Sequence, residues 1–184
     1  MKVEETSLPG VLLLQPKVFG DHRGYFQESW NRRSFAVAGL DLDFVQDNLS
    51  HSRRGILRGL HFQHPNGQGK LVQVFQGEVF DVAVDVRRGS PHFGRWFGTR
   101  LSSDNHLQMY VPAGFAHGFC VLSETVLFAY KCTEFYDPGC EYALRFDDPD
   151  LGIDWPMPVP PTLSAKDLEA RRLQDFPADL LPAY

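Results

Sequence analysis

The segment Glu78-Val79-Phe80-Asp81-Val82-Ala83-Val84-Asp85-Val86 decides the fold, because its side chains alternate along the chain. The even-numbered apolar residues from Phe80 to Val86 share one face, and Asp81, Ala83 and Asp85 share the other. A period of two residues is typical of a β-strand with one buried face. Gln76-Gly77, just before it, predicts a turn from a preceding strand at residues 70–75.

Comparable apolar segments, separated by Gly, Pro, Asn and Asp, occupy most of the chain. Further strands are predicted at residues 11–18, 55–63, 95–101, 107–111, 118–122, 125–132 and 142–146. Many short strands at close spacing are typical of a β-sandwich or jelly roll. We therefore predict an all-β fold in a single domain, residues 1–184, with a jelly-roll core at about 11–147 and a C-terminal extended segment and helix at 148–184.

Helix signals occur twice. We predict a short helix at residues 31–38, which ends at Gly39, and a second helix at residues 164–174, which Ser164 caps. Prolines disfavour both helix and central strand. The prolines between these helices therefore predict an extended connector, and they are Pro156, Pro158, Pro160 and Pro161.

Composition limits the classes of function. A chain of 184 residues is long enough for one sizeable core. Its net charge of -5 does not indicate a nucleic-acid-binding face. The apolar run at residues 11–14 is too short to span a bilayer, and the N-terminus lacks a signal-peptide pattern. The three cysteines are too scattered for a disulfide framework, so we expect a cytoplasmic protein without nucleic-acid or membrane partners.

Polar residues with useful chemistry interrupt several predicted strands. Arg58 and His61 lie within one strand, Lys70 opens the next, His117 lies between two strands, and Tyr130 is near the end of a late one. Each has a simpler interpretation: a hydrogen-bonded core histidine, a paired arginine or a solvated lysine. Together they favour a polar ligand pocket in the mouth of a β-barrel, because the simpler interpretations must explain each residue separately.

A metal site would need His61, His64 and His117 as ligands. Residues three apart on a regular strand point to opposite faces, and Pro65 leads His64 into a Gly-rich loop. No nearby carboxylate completes a facial triad of ligands. We therefore predict no metal.

Eight motifs follow one another along the chain. They are FGDHRG (19–24), QDN (46–48), LRGLHFQ (57–63), QGKLV (68–72), GEVFDVAVD (77–85), PAGFAHGF (112–119), YKCT (130–133) and LSAKD (163–167). In this order the chain closely resembles the dTDP-4-dehydrorhamnose 3,5-epimerases over about residues 18–167. The resemblance implies a cupin-type jelly-roll β-barrel with short peripheral helices. It also implies an epimerase of dTDP-L-rhamnose biosynthesis that needs no cofactor.

The resemblance assigns the catalytic roles. The substrate, dTDP-4-dehydro-6-deoxy-D-glucose, carries a C4 ketone that acidifies the protons on C3 and C5. The resemblance makes His61 the base, Asp167 its partner and Tyr130 the acid on the opposite face of the ring. Lys70 would stabilise the enolate oxygen. On its own, Asp167 is equally compatible with a capping box that begins at Ser164.

The resemblance also implies binding residues and a homodimer. A dimer would cover exposed edge strands. The binding residues are Arg23, Arg58 and His117 at the diphosphate or sugar, Gln46 and Asn48 at the nucleotide end, Tyr136 stacked on thymine, and Phe26 and Glu28 on a strand often exchanged across the dimer.

One of these assignments conflicts with simple alternation. Arg58 and His61 are three residues apart, so a flat strand would point them in opposite directions. We predict a bulge at Gly59 that brings both into the pocket.

Four alternatives remain open at this stage. The first is a C3-only or C5-only epimerase of a secondary-metabolite deoxysugar pathway, which can share the same His, Lys and Tyr. The second is a ketoisomerase on the same fold. The others are a non-catalytic jelly roll that binds a nucleotide sugar and a metal-dependent cupin.

Overall fold

The structure is a computed structural model that describes residues 1–157 and 160–184. These residues form thirteen strands and two short α-helices. The strands are β1 (Lys2–Glu5), β2 (Leu12–Gln15), β3 (Val18–Asp21), β4 (Gly24–Gln27), β5 (Gln46–Arg53), β6 (Leu57–Gln63), β7 (Lys70–Gln76), β8 (Glu78–Asp85), β9 (Trp96–Ser102), β10 (Gln108–Val111), β11 (Phe115–Val121), β12 (Thr125–Cys132) and β13 (Glu141–Ala143). The helices are α1 (Arg32–Val37) and α2 (Ala165–Leu168), followed by 3₁₀ turns at Leu173–Asp175 and Ala178–Leu180.

Two antiparallel sheets face each other across the main core. The larger has the strand order β1-β2-β10-β7-β12-β5, and the smaller has β13-β6-β11-β8-β9. Val72 and Phe128 from the larger sheet pack in one cluster with Val79 and Phe119 from the smaller. Strands β3 and β4 form a separate hairpin. This arrangement confirms the predicted all-β jelly roll.

Strand β8 is buried on both faces, which corrects the prediction of one buried face. Val79 and Ala83 belong to the core between the sheets. Val82 and Val84 belong to a second core, in which the C-terminal segment covers the outer face of the smaller sheet. Asp81 is also fully buried. Alternating polarity therefore identified the strand, although the polar face also lies inside the protein.

The N-terminal strand and helix predictions need small corrections. The strand predicted at 11–18 is two strands, β2 and β3, with Pro16 between them, where a proline cannot donate to a ladder. Helix α1 forms as expected because the Asn31 side chain accepts hydrogen bonds from the backbone N–H groups of Arg33 (2.9 Å) and Ser34 (3.2 Å).

The predicted C-terminal helix is much shorter than expected. Ser164 caps α2, but the helix has only four residues. Beyond it the backbone carbonyl of Arg171 accepts a hydrogen bond from the N–H of Arg145 (2.9 Å), and Leu173 is buried in the second core. The segment after α2 therefore packs against the smaller sheet instead of continuing the helix that its sequence favours. In the predicted proline connector, residues 158 and 159 lie outside the described residues. No helix among residues 1–157 and 160–184 is long and apolar enough to cross a membrane.

Candidate active site

A cavity of about 650 Å³ opens between the two sheets at one end of the sandwich. Its walls come from β5, β7 and β12 of the larger sheet, from β6, β11 and β13 of the smaller, and from residues 162–167. Nine of the twelve predicted site residues line it. They are Gln46, Asn48, Arg58, His61, Lys70, His117, Tyr130, Tyr136 and Asp167.

An irregular β6 brings Arg58 and His61 into the same cavity. The pairing of β6 with β11 shifts between the partners of His117 and Phe119, and Gly59 has φ +111°. A Cβ on Gly59 would lie 2.6 Å from the Gly118 Cα, so glycine is required at this close approach. This confirms the predicted bulge. The Arg58 Nε donates to the Ser52 Oγ (3.0 Å).

His61 and Asp167 form a short hydrogen-bonded pair. The His61 Nε2 lies 2.5 Å from the Asp167 Oδ1, and the Asp167 side chain is 4% exposed. Burial raises the pKa of Asp167. Hydrogen bonds from His61 and Ser164 and the charge of His61 lower it by more than burial raises it, so the net pKa is below the ordinary value. An ionised Asp167 accepts a hydrogen bond from the Nε2–H group of His61, which leaves Nδ1 as the nitrogen that can take a proton.

Lys70 and Tyr130 face the cavity from the opposite sheet. Burial lowers the pKa of Lys70, although the nearby acidic groups, among them Glu141, oppose this effect. None of the ion pairs formed by the described residues includes Lys70. Burial also raises the pKa of Tyr130, which keeps the phenol protonated at neutral pH. The larger sheet thus supplies an amine that forms no ion pair among the described residues and a neutral proton donor.

A second His–Asp pair lies deeper in the protein. The His117 Nε2 is 2.8 Å from the Asp81 Oδ1, and the His117 ring stacks on Phe128 at a centroid distance of 6.2 Å. The other Asp81 oxygen, Oδ2, is buried without a hydrogen-bond partner in the part of the chain that is described. Burial raises the pKa of Asp81 despite the opposing charge of His117. Sequence reasoning missed Asp81 as a partner; its signal was a carboxylate on a strand otherwise rich in valine.

One end of the cavity carries a connected set of neutral polar groups. The Gln46 Nε2 donates to the Asn48 Oδ1 (3.0 Å), and the backbone N–H of Tyr136 donates to the Gln46 Oε1 (2.8 Å). The Tyr136 ring is half exposed at the cavity mouth. This end suits a flat polar ring with amide-like edges.

Two charged residues of the cavity were not singled out from the sequence. Glu141 begins β13, and its Oε2 accepts a hydrogen bond from the Tyr136 hydroxyl (2.9 Å) and pairs with the Lys166 ammonium. Its Oε1 lies 3.9 Å from the His61 Nδ1. Lys166 lies within the motif LSAKD, which was a usable signal, but no pattern in the sequence marked Glu141.

Arg23, Phe26 and Glu28 do not reach the cavity of their own chain. They belong to or follow the β3–β4 hairpin, where Arg23 pairs with Asp21 and the Phe26 ring is 68% exposed. Glu28 accepts hydrogen bonds from the side chains of Asn31 (2.9 Å) and Ser34 (3.0 Å). Their contact with a substrate therefore stays a prediction that needs a second copy of the chain.

The side chains that could bind a metal ion, and the three cysteines, are spread over the described residues. Among residues 1–157 and 160–184, no cluster of three or more His, Cys, Asp and Glu side chains is arranged to hold a metal ion. The three cysteines are free, with Cys120 and Cys132 buried and Cys140 partly buried.

Comparisons with known proteins identify the family that this chain matches. The family profile described as dTDP-4-dehydrorhamnose 3,5-epimerase matches residues 5–175. A dTDP-4-dehydrorhamnose 3,5-epimerase of Pseudomonas aeruginosa is 54% identical over 183 residues, which cover 99% of this chain and 100% of that protein. A Legionella pneumophila dTDP-6-deoxy-D-glucose-3,5-epimerase, solved in complex with dTDP-4-keto-L-rhamnose, is 48% identical, with a TM-score of 0.96 over 100% of this chain and 98% of that one. A 3'-monoepimerase of Streptomyces bikiniensis, in complex with dTDP-quinovose, is 38% identical, with a TM-score of 0.90 over 97% of this chain and 92% of that one.

Proposed function

The chain belongs to the dTDP-4-dehydrorhamnose 3,5-epimerase family, and we propose that it inverts C3 and C5 of dTDP-4-dehydro-6-deoxy-D-glucose. The product is dTDP-4-dehydro-L-rhamnose, an intermediate of dTDP-L-rhamnose biosynthesis. The protein is thus an isomerase on a cupin-type jelly roll. The observation that carries the proposal is the facing pair of walls: His61 with Asp167 on one side, Lys70 with Tyr130 on the other.

Proton abstraction begins at the wall formed by the smaller sheet. The His61 Nδ1 removes the proton from the carbon beside the C4 ketone, and the electron pair of the C–H bond moves into the enolate. The ionised Asp167, 2.5 Å from Nε2, stabilises the imidazolium that results. A positioned general base contributes roughly 10²–10⁴ in rate.

Charge and reprotonation are handled by the larger sheet. The Lys70 ammonium stabilises the enolate oxygen at the moment its negative charge develops. The Tyr130 phenol then donates its proton to the opposite face of the same carbon, which inverts it. After His61 has released its proton to solvent and Tyr130 has regained one from solvent, the same sequence at the second carbon completes the double inversion. No hydride moves, and Lys70 supplies the positive charge, so the proposed reaction uses no redox cofactor and no metal.

The rest of the cavity holds the nucleotide in this proposal. Tyr136 stacks on the thymine, and Gln46 and Asn48 bind its polar edge. Arg58, whose side chain is partly exposed to the cavity, binds the diphosphate with His117 beside it. An arginine suits this position because its planar donors bind two phosphate oxygens at once.

A homodimer would complete the site. The β3–β4 hairpin exposes Phe19, Tyr25 and Phe26, each more than half accessible, and β5 is an edge strand of the larger sheet. A second copy covers such surfaces at little cost. It also brings its Arg23, Phe26 and Glu28 toward the cavity. We expect a dimeric mass in light scattering at micromolar concentration; a monomeric mass would contradict this assembly. Three free cysteines fit a cytoplasmic enzyme.

Proton NMR in D2O tests the reaction directly. The purified protein is mixed with dTDP-4-dehydro-6-deoxy-D-glucose without added metal or nicotinamide. Loss of both the C3 and the C5 proton signals supports the double epimerase. Loss of one signal identifies a single-site epimerase, like the S. bikiniensis relative. Binding without loss of either signal identifies a non-catalytic nucleotide-sugar-binding protein.

A further inference from the structure

Glu141 is placed between the two ends of the cavity. Its Oε2 faces the nucleotide end, where it binds the Tyr136 hydroxyl and the Lys166 ammonium. Its Oε1 faces the catalytic end, 3.9 Å from the His61 Nδ1. The side chain is 16% exposed. One carboxylate thus touches both the groups that meet the nucleotide and the nitrogen that takes the proton.

Glu141 carries a negative charge that its neighbours balance. Burial raises the pKa of Glu141. Hydrogen bonds from Lys166 and Tyr136 and the charge of His61 lower it by more than burial raises it, so the net pKa is below the usual value. The Lys166 charge partly cancels the negative charge that His61 would otherwise experience. The effect of Glu141 on His61 therefore depends on where the Lys166 ammonium is.

The other charged groups near His61 differ in how they are held. Asp167 is hydrogen-bonded to the Nε2 atom of His61. His117, the cross-strand neighbour of His61, is paired with Asp81. Arg58 is on the same strand, bonded to Ser52. Lys70 and Tyr130 face His61 from the larger sheet. Glu141 is the carboxylate on the Nδ1 side, and its partners are exchangeable because both line the cavity.

We propose that Glu141 is a positioning residue that couples occupation of the nucleotide end to proton abstraction by His61. The inference rests on the proposed function. A bound diphosphate competes with Glu141 for Lys166, and a thymine stacked on Tyr136 restrains the ring that carries the hydroxyl. Glu141 then acts as a less compensated negative charge beside Nδ1 and stabilises the imidazolium as the proton arrives. Binding energy from the remote nucleotide is thereby used to raise kcat as well as to lower KM.

Two substrates separate this coupling from simple binding. They are dTDP-4-dehydro-6-deoxy-D-glucose and 4-dehydro-6-deoxy-D-glucose 1-phosphate, which lacks the nucleoside and one of the two phosphates. For the unmodified protein we expect a kcat for proton exchange about tenfold higher with the full substrate, because a charge within about 4 Å changes a proton affinity by about tenfold or more. Glu141→Gln keeps the shape without the charge. It should lower kcat for the full substrate to within about twofold of the value for the truncated one, and it should lower kcat for the truncated one far less.

The pH profile supplies a readout that a purely structural role would not move. A negative charge beside the imidazole favours its protonated form, so the acidic limb of the kcat profile lies at higher pH with the full substrate than with the truncated one. In Glu141→Gln the two limbs coincide. The matched control is Glu169→Gln, an exposed residue just after α2, which should change neither kcat nor either limb.

A second variant makes the inference harder to satisfy by accident. Lys166→Met frees Glu141 without a nucleotide, so kcat for the truncated substrate should rise several-fold while KM for the full substrate also rises. Equal losses of kcat for both substrates in Glu141→Gln would overturn the coupling, as would a change in KM alone. If the unmodified protein exchanges no protons with the full substrate, the proposed function fails instead. Circular dichroism and Tm confirm that each variant is folded.

Discussion

The histidines of the two His–Asp pairs lie on the neighbouring strands β6 and β11 and are direct cross-strand partners, yet the surroundings of the two pairs differ. The His61 side chain is 26% exposed to the cavity, whereas that of His117 is 7% exposed. The pKa of Asp167 is lowered, because its hydrogen bonds and neighbouring charges outweigh its burial. The pKa of Asp81 is raised, because its burial outweighs the charge of His117. The same two residue types thus form one pair in which the ionised carboxylate is favoured and one in which burial disfavours it.

The fold accounts for this difference. Asp81 lies in the middle of β8, which is buried on both faces, so water cannot solvate its carboxylate. Asp167 is on α2, in a segment that closes over the cavity, with Ser164 and Lys166 nearby. A carboxylate that remains ionised supports an imidazolium, whereas one that favours its proton does not. We infer that His61 is the base and that His117 positions the ligand and holds the strands.

The largest difference between the pairs should appear when His61 is removed. We expect His61→Ala to lower kcat about 10³-fold, roughly 4 kcal/mol of transition-state stabilisation, because no other group accepts the proton. Substrate affinity should change little, and Tm should fall less than when His117 is removed, since the His61 side chain is 26% exposed and that of His117 is 7% exposed. NMR proton exchange, calorimetric titration with dTDP and thermal unfolding measure the three quantities. A large fall in Tm would mean that the pair is structural.

The matching change in the buried pair should affect stability first. His117→Ala leaves the Asp81 carboxylate fully buried without its partner, so we expect a loss of about 3 kcal/mol or more in the free energy of unfolding. KM should also rise, because His117 lines the cavity. Urea denaturation at neutral pH measures the stability.

A double variant checks the cause of that loss. Adding Asp81→Asn to His117→Ala removes the stranded charge, so the double variant should recover part of the stability. If it is no more stable than His117→Ala, the loss comes from the packing of the His117 ring on Phe128 instead of from the charge.

Asp167→Asn should have the next largest effect. The amide keeps the shape of the side chain but removes the negative charge that stabilises the His61 imidazolium. We expect kcat to fall about 10²-fold, roughly 2.7 kcal/mol, with KM within about twofold. Steady-state kinetics with the full substrate measures both. A fall in kcat of less than about threefold would show that Asp167 only caps α2 with Ser164.

The hydrophobic pattern predicted most of the strands that have apolar faces and missed β1, β4 and β5. Strand β12 occurs where it was predicted, and β8 differs only at its last residue. Strand β5 was not predicted, because its inner residues, Gln46, Asn48 and Ser50, face a polar cavity and its one apolar side chain, Leu49, is exposed. Hydrophobic alternation reports burial in an apolar core, so it cannot reveal a strand that lines a ligand site.

The site was predicted best where a residue conflicts with its own strand. Arg58 and His61 conflict with the apolar pattern of β6, and the bulge at Gly59 that reconciles them is present. Glu141 and Asp81 were missed because their roles depend on partners far away in sequence: Glu141 on His61 and Lys166, and Asp81 on His117. Pairing between residues far apart in sequence is a property of the tertiary structure, and local spacing carries no information about it.

The smallest expected effect, and the one most specific to the comparison, is the pH dependence of Asp81→Asn. The pKa of Asp81 is raised in the folded protein, so its contribution to stability is fully present below the unfolded-state pKa, about 4, and is lost as pH rises toward the folded value. Relative to the unmodified protein, Asp81→Asn should therefore become more stable as the pH rises from 4.5 to 7.5. Asp167→Asn should show the opposite sign, because a lowered pKa contributes stability above the unfolded-state value that is lost as pH falls. Thermal unfolding of the three proteins between pH 4.5 and 7.5 measures the Asp81 difference, and unfolding below about pH 4, where Asp167 loses its contribution, measures the Asp167 difference. Parallel curves would mean that Asp81 stays ionised beside His117, and the two pairs would then differ in exposure but not in charge.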